Sequence, residues 1–221
     1  MEQFLQNKLQ NSQDAFQKWK KIPFEERQKY FTQLSEILND RKQDFATIIT
    51  QEMNKPISQS VSEIEKCAAL CDYYATAENI LKTEQVETEF QISEIHHEPL
   101  GVILGVIPWN FPFWQAIRFA VPTILAGNVI VLKHASICEK SGETIQEIFE
   151  KAGFPKGIFT FLKVSHAQVE EMIAHPIIRG VSLTGSEAAG RKIAETAGKN
   201  LKKCVLELGG SDAFIVCEDA D

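Results

Sequence analysis

The chain has 221 residues, of which 44% are hydrophobic and 24% are charged, and its formal net charge at pH 7 is −7. This is the composition of a globular protein with enough apolar residues to bury a sizeable core. The negative charge and the lack of a Lys/Arg cluster argue against a nucleic-acid-binding surface. The charge and the prolines within the longest apolar run, 111–132, argue against a membrane span.

The cysteines predict a reduced, cytoplasmic protein. Five are present, with no C-x-x-C pair and mostly apolar neighbours: Cys67, Cys71, Cys138, Cys204 and Cys217. This usage favours free thiols over a disulfide framework. The first residues contain no apolar region of the signal-peptide kind, and no spacing of His and Cys is that of a metal site.

The first 82 residues predict an amphipathic helical segment. Apolar residues recur there at three- and four-residue steps, which predicts helices over 2–21, from Pro23 onward, over 41–53 and over 58–81. From 83 to 98 the period changes to two, because Val86, Thr88, Phe90 and Ile92 alternate with polar residues. This alternation predicts a strand arm with one wet face.

From residue 99 to 221 predicted strands alternate with helices. The strands are expected over 102–107, 129–133, 158–164, 180–183, 204–208 and 213–217, and the helices over 113–126, 138–152, 167–174 and 187–197. Unbroken apolar strands separated by helices are typical of a parallel sheet. The sequence therefore predicts an α/β fold: a Rossmann-like parallel sheet with helices on both faces, preceded by a helical N-terminal segment. Such sheets commonly bind nucleotides, but the fold alone does not fix a function.

The turn 106–112 (Val-Ile-Pro-Trp-Asn-Phe-Pro) joins the first of these strands to a helix. Pro108 ends the strand, and Pro112 suits a first helical turn. Trp109 and Asn110 are therefore held at the carboxyl end of a strand, where open α/β sheets bind ligands. Asn110 offers a neutral N–H donor suited to stabilising an oxyanion. A capping Asn at an ordinary strand-to-helix corner explains the same residues equally well.

Two further strand ends carry candidate cofactor ligands. Lys133 ends the second strand and suits a ribose or a phosphate, and Ser136 is either a helix cap or a second ligand. Gly185 and Ser186 follow the fourth strand, where glycine permits close approach and a helix N-terminus attracts an anion. A solvated Lys and an ordinary capped helix are the alternatives. The fingerprint G-x-G-x-x-G is absent from the first turn.

Two charged residues stand in apolar surroundings. Glu207 lies between Leu206 and Leu208 on a predicted core strand, where burial would favour the neutral acid and make it a usable general base. Alternatively, it reaches solvent past the glycines that follow. Arg118 is the only charge in its helix and shares a face with Trp114, four residues earlier. Such an Arg usually pairs with a carboxylate, either internal or on a ligand, so a carboxylate-bearing substrate is expected.

Taken in order, these segments resemble the aldehyde dehydrogenase family. The matching stretches are 51–56 (Gln-Glu-Met-Asn-Lys-Pro), 108–112 (Pro-Trp-Asn-Phe-Pro), Lys133, 184–186 (Thr-Gly-Ser) with Gly190, and 206–210 (Leu-Glu-Leu-Gly-Gly). Stretches 132–135 and 202–212 look most similar to the bacterial succinate-semialdehyde dehydrogenases that accept NAD or NADP. The likeness covers nearly the whole chain.

The resemblance implies a role for each matching residue. Asn110 would donate to the oxyanion of a thiohemiacetal, and Glu207 would act as general base. Arg118 and Trp114 would bind the carboxylate of a small aldehyde, and the arm at 83–98 would support a homo-oligomer. The cofactor, NADP or NAD, would contact Val106, Ile107, Pro108, Trp109, Lys133, Ser136, Gly185, Ser186, Leu208 and Gly209.

Three departures modify these expectations. Ser136 stands where many NAD-preferring members have Glu, which would repel a 2′-phosphate, so NADP is slightly favoured. His134 replaces the usual Pro. None of the five cysteines lies in an F-x-N-x-G-Q-x-C-like stretch. The resemblance thus implies an incomplete NAD(P)-binding domain over 1–221, without the catalytic-cysteine domain, and this chain alone is predicted to be inactive.

The leading hypothesis is the N-terminal part of an enzyme that oxidises succinate semialdehyde to succinate through a cysteine thiohemiacetal and thioester. The main alternative is a non-catalytic nucleotide-binding or interaction module derived from that family. An unrelated reductase on the same sheet would need the missing glycine fingerprint and a Tyr/Lys or His acid.

Overall fold

A computed structural model describes residues 1–220, beginning with four helices. They are α1 (Gln3–Trp19), α2 (Phe24–Asp40), α3 (Lys42–Met53) and α4 (Ile57–Thr76). We call residues 1–76 the helical lead. All four predicted helices are present, although α4 ends at Thr76 rather than near residue 81. Asn79, just beyond it, has a left-handed φ of 63°, which a helix cannot accommodate.

A small hairpin follows the lead. Strands β1 (Glu84–Gln85) and β2 (Glu94–Ile95) pair antiparallel over two residues each. The arm predicted over 83–98 is therefore much shorter as a strand than its alternation indicated, because its middle forms the turn of the hairpin. Within that turn the hydroxyls of Thr88 and Ser93 are 2.6 Å apart. Phe90 and Ile92, at the tip, are exposed.

The remainder forms a five-stranded parallel sheet, which confirms the predicted fold class. Its strands are β3 (Val102–Ile107), β4 (Val129–His134), β5 (Phe159–Phe161), β6 (Ile178–Gly185) and β7 (Lys203–Leu208), in the spatial order β5-β4-β3-β6-β7. The connecting helices are α5 (Pro112–Leu125), α6 (Glu139–Lys151), α7 (His166–Ala174) and α8 (Glu187–Lys199). No helix within 1–220 is long and apolar enough to cross a membrane.

The sixth predicted strand, 213–217, is wrong. No strand is formed there, and the apolar residues Phe214, Ile215 and Val216 are exposed. An apolar run becomes a strand only when it hydrogen-bonds to a neighbour. This segment pairs with none of the strands in the described part of the chain, so β7, like β5 on the other side, is an edge strand.

Both faces of the sheet are covered by helices, and the residues of β3 show how. Gly105 faces α5 so closely that a Cβ at this position would lie 2.5 Å from Cε1 of Phe119. Val106, pointing the opposite way, lines a cleft with residues of α7 and α8. The helical lead packs on α5 as well, where Nε1 of Trp19 donates to the carbonyl of Ile124 over 2.8 Å.

The strand order creates a switch point between β3 and β6. The chain runs from β3 outward through β4 to β5, and then crosses back to β6 and β7 on the other side of β3. Val106 is in register with Lys133 of β4 and with Leu183 of β6. In open α/β sheets, ligands bind in the crevice outside the carboxyl ends of strands at such a point.

Candidate functional site

The turn after β3 presents Trp109 and Asn110 to solvent. Trp109 is 54% exposed, and Asn110 is exposed at the mouth of a groove of about 540 Å³ between α4 and α5. Trp114 lines the same groove, with the ammonium of Lys66 4.0 Å above its ring. Pro112 is the first residue of α5, as predicted. The side chain of Asn110 is thus free to donate to a ligand in this groove.

The carboxyl end of β4 carries a cation with little exposure. Lys133 is only 8% exposed, and burial lowers the pKa of its ammonium group. Ser136 opens a short 3₁₀ turn (Ser136–Cys138), and no side chain caps this turn. Of the two roles considered for Ser136, capping of the next helix is therefore wrong, because Cys138 precedes α6. The Ser136 hydroxyl is exposed and available to a ligand.

His134 ties the end of β4 to the start of α5. Its Nε2 lies 2.9 Å from the carbonyl of Pro112, and its Nδ1 accepts from the backbone N–H of Ala135 over 2.9 Å. These partners require a neutral ring with the proton on Nε2. Burial lowers the pKa of His134 to about 4, in agreement with this state. The residue that replaces Pro in the resemblance thus joins two turns of the candidate site.

The switch point holds an apolar cleft of about 320 Å³. Its walls come from β3, β6, α7 and α8, with Val106, Leu183, Val169, Ala189 and Ile193 among the lining residues. Glu170 and Lys192 also line it and form an ion pair of 2.6 Å. The α7 and α8 residues of this cleft were not singled out from the sequence. The small residues at the start of α8 (Glu-Ala-Ala-Gly, 187–190) are the signal that could have indicated them.

Gly185 and Ser186 sit beside this cleft, where β6 becomes α8. The hydroxyl of Ser186 accepts from the backbone N–H of Ala189 over 3.3 Å, so the capping interpretation of Ser186 is confirmed. Gly190 lies so close to β7 that an added Cβ would be 2.5 Å from Cδ2 of Leu208. This close approach presses the first turn of α8 against the end of β7. Leu208 and Gly209 are themselves exposed there.

The expected burial of Glu207 is wrong. Its side chain is 49% exposed and forms an ion pair with Arg118, whose side chain is 36% exposed. The reason is the edge position of β7. No strand of the described residues lies beyond it, and Glu207 borders an open depression beside α5, so the flanking Leu residues do not enclose its carboxylate. Arg118 therefore has an internal partner, one of the two outcomes expected. It lines a depression with Ser182 and Thr184, whereas Trp114 opens into the groove with Asn110.

The described residues, 1–220, contain no group of three or more His, Cys, Asp or Glu side chains placed to hold a metal ion. The site instead combines an exposed amide donor, a lysine with little exposure, a capped helix start and an apolar cleft, all near the carboxyl ends of the parallel strands. Such a set suits an elongated organic ligand with anionic groups.

Comparison with known proteins agrees with this geometry. The model of the aldehyde dehydrogenase family matches residues 3–221. The chain belongs to the aldehyde dehydrogenase family. It is 47% identical over 215 residues to a probable succinate-semialdehyde dehydrogenase (NADP⁺) of Synechocystis sp., covering 97% of this chain and 47% of that protein. It is 43% identical to a succinate semialdehyde dehydrogenase (NAD(P)⁺) of Escherichia coli, covering 98% of this chain and 47% of that protein.

A solved structure supports the same assignment. The succinic semialdehyde dehydrogenase of Streptococcus pyogenes, crystallised with NADP⁺, superimposes with a TM-score of 0.94 at 42% identity. The match covers 100% of this chain and 49% of that one. The chain thus spans about half the length of the relatives it matches.

Four of the five cysteines of this aldehyde dehydrogenase chain are poorly suited to act as nucleophiles. Cys67 and Cys71 are fully buried in α4, and burial raises the pKa of both. Burial raises the pKa of Cys138 to about 12, and its Sγ lies 3.7 Å from the carbonyl of Trp109. Burial also raises the pKa of Cys204. Because the thiolate is the reactive form, burial disfavours reaction at these four thiols.

Proposed function

We propose that this chain is the cofactor-binding part of an NAD(P)-dependent aldehyde dehydrogenase that oxidises succinate semialdehyde to succinate. The observation that carries the proposal is the switch point between β3 and β6, where Val106 and Leu183 line one apolar cleft with residues of α7 and α8. The relatives described as succinate-semialdehyde dehydrogenases support the substrate class. The isolated chain is expected not to oxidise the aldehyde, because none of its cysteines lies in the sequence context of the family's nucleophile.

The residues present fit a dinucleotide. Val106, Ile107, Pro108 and Trp109 would contact one side of the cofactor, and Gly185, Ser186, Leu208 and Gly209 would contact the other. The apolar cleft at Val106 and Leu183 would accept a flat base. Lys133 would bond a ribose hydroxyl, and Ser136, exposed near it, would bond a 2′-phosphate. Hydride acceptance is the chemistry that the nicotinamide supplies when bound; NADP is favoured over NAD.

The remaining residues act on the aldehyde. Asn110 would donate its amide N–H to the oxygen that gains negative charge, which a preformed neutral donor stabilises without a proton transfer. Glu207 would accept a proton as general base, and Arg118 and Trp114 would hold the carboxylate end of the substrate. We further propose that the hairpin, with exposed Phe90 and Ile92 at its tip, supports a homo-oligomer, and that the protein is cytoplasmic.

Trp109 offers a direct test, since it lies beside the proposed cofactor site. Titration of the 221-residue chain with NADPH and with NADH should quench its fluorescence saturably, with tighter binding of NADPH. Lys133→Ala should abolish both responses. Ser136→Glu should weaken NADPH by about tenfold or more and leave NADH within about twofold, because a carboxylate repels the 2′-phosphate. Lack of binding of either cofactor by the folded chain would refute the proposal.

A second assay distinguishes this proposal from the alternative, a non-catalytic nucleotide-binding module. Complementation with a separately produced carboxyl-terminal half of a related succinate-semialdehyde dehydrogenase should restore NADP-dependent oxidation of succinate semialdehyde. A chain that binds NADPH but never yields activity in such a complex would favour the module. Turnover by the pure chain would contradict the prediction that none of its five cysteines is the nucleophile.

A further inference from the structure

A buried carboxylate of the helical lead holds the start of α5. Glu63 has no exposed side-chain surface, and its Oε1 accepts from the backbone N–H groups of Phe113 and Trp114 over 2.9 and 3.0 Å. Its Oε2 accepts from the ammonium of Lys55 over 2.7 Å. Helix α5 has no cap of its own, since the side chain of Phe111 provides none. Glu63 therefore supplies, from α4, the acceptor that the first turn of α5 lacks.

The buried carboxylate of Glu63 requires specific hydrogen-bond partners. A buried carboxylate is costly unless its oxygens are fully hydrogen-bonded. Here three donors and the positive end of the α5 dipole all face it. The ammonium of Lys55, itself nearly buried, also lies 3.8 Å above the ring of Phe111. Glu63 and Lys55 thus contact the chain on both sides of Pro112.

The segment held by these contacts also carries Asn110. Among the side-chain hydrogen bonds of residues 1–220 none involves the Asn110 amide, so its position is set by the backbone that bears it. That backbone is fixed by Glu63 at Phe113 and by His134 at the carbonyl of Pro112. We propose that Glu63 is a positioning residue for Trp109 and Asn110. The inference rests on the proposed function of those two residues.

A second carboxylate of the lead makes the matching contact one strand away. Glu52, in α3, accepts from the backbone N–H groups of Lys140 and Ser141 over 2.7 and 3.2 Å and from the Ser141 hydroxyl. These are the first residues of α6, which follows the turn of Lys133 and Ser136. The two carboxylates use the same chemistry on different turns, so each serves as the control for the other.

The test compares Glu63→Gln with Glu52→Gln in the full 221-residue chain. The first readout is amide hydrogen exchange, which needs no cofactor. Glu63→Gln should speed exchange across 108–117 by about tenfold or more, because the acceptor loses its charge and the new N–H₂ group faces the ammonium of Lys55. Exchange across 135–143 should stay as in the wild type. Glu52→Gln should show the reverse pattern.

The second readout is cofactor binding by Trp109 fluorescence. Glu63→Gln should weaken the binding of NADPH and of NADH by the same factor, since Trp109 would contact the part of the cofactor that both molecules share. Glu52→Gln should weaken NADPH more than NADH, because it loosens the turn of Ser136. A merely structural role would lower global stability, but it would leave both affinities of the folded Glu63→Gln chain, and the ratio of the two affinities in Glu52→Gln, as in the wild type.

A rescue variant guards against simple misfolding. In Glu63→Gln the new amide N–H₂ faces the ammonium of Lys55, so Lys55→Met should restore protection of 108–117 when added to Glu63→Gln. Unchanged exchange in Glu63→Gln, or equal acceleration throughout the chain, would overturn the positioning role. If the wild type binds neither cofactor, the proposed function fails, and the exchange pattern still decides whether Glu63 orders the turn.

Discussion

Acid should destabilise this fold through His134. His134 is 3% exposed, and burial lowers its pKa from 6.5 to about 4. Between these values the unfolded chain binds a proton that the folded chain does not, so the free energy of unfolding falls as the pH falls. The stabilisation is complete above pH 6.5 and is lost toward pH 4. The loss is about 2 kcal/mol at pH 5 and about 3 kcal/mol below both pKa values.

The hydrogen bonds of His134 give the same sign independently. A proton on Nδ1 would face the N–H of Ala135, which now donates to that nitrogen over 2.9 Å. Protonation therefore replaces an attraction by a repulsion of two donors, in a site with little access to water. The contact from Nε2 to the carbonyl of Pro112 is compatible with either state. The neutral ring is the only form in which both contacts are favourable.

Urea unfolding of the wild type and of His134→Gln from pH 7.5 to 5 measures this effect. The Gln side chain keeps a neutral donor for the Pro112 carbonyl but does not titrate. The variant should lack about 2 kcal/mol of the decline that the wild type shows by pH 5. His97→Gln, on the exposed hairpin, is the control and should leave the wild-type decline in place. Parallel curves for wild type and His134→Gln would refute the reasoning.

Three further predictions concern charge, packing and helix propensity. Glu207→Gln removes the exposed ion pair of Arg118, so the affinity for succinate should rise about two- to fivefold at low salt, as measured by calorimetry; an unchanged affinity would argue against Arg118 as the carboxylate partner. Gly105→Ala should cost about 1–3 kcal/mol in urea unfolding, since the new Cβ meets a ring of α5 at 2.5 Å. Gly198→Ala, a helical position with nothing within 4 Å, should instead stabilise by about 0.5–1 kcal/mol.

The architecture of the sheet followed from local patterns. Runs such as 102–107 and 129–132 are apolar without interruption, and β3 and β4 are buried as such runs require. Pro112 marked the start of α5 because a missing N–H is harmless there. Each of these signals lies within a few residues of the element that it specifies. For that reason the sequence alone was sufficient.

Two failures share one cause, which is the edge of the sheet. The residues of β7 are alternately half-buried and exposed up to Leu206, and Val205 and Glu207 lie on the face that borders an open depression beside α5. An apolar run does not reveal whether its strand has a neighbour on one side or on both. The same ambiguity turned 213–217 into a predicted strand. Edge position depends on which distant segments are present, and local periodicity carries no information on that.

The carboxylates that hold the turns were missed for a different reason. Glu63 and Glu52 contact backbone groups 50 and 88 residues further along the chain. In the sequence each is one acidic residue on an amphipathic helix, where acidic residues are common. Only the partner distinguishes them, and the partner is a backbone N–H that every residue type carries. No pattern of side chains could have indicated these contacts.

Helix α5 shows how the lead and the site depend on each other. Its first N–H groups are bound by Glu63, and near its end the carbonyls of Ile124 and Leu125 accept from Trp19 and Arg27 over 2.8 Å each. Side chains of the lead therefore satisfy α5 at both ends, although α5 itself begins and ends without a side-chain cap. Because buried polar groups left without partners are costly, the lead cannot loosen without exposing both ends of α5. The turn that presents Asn110 is thus as stable as the contacts between the lead and the sheet.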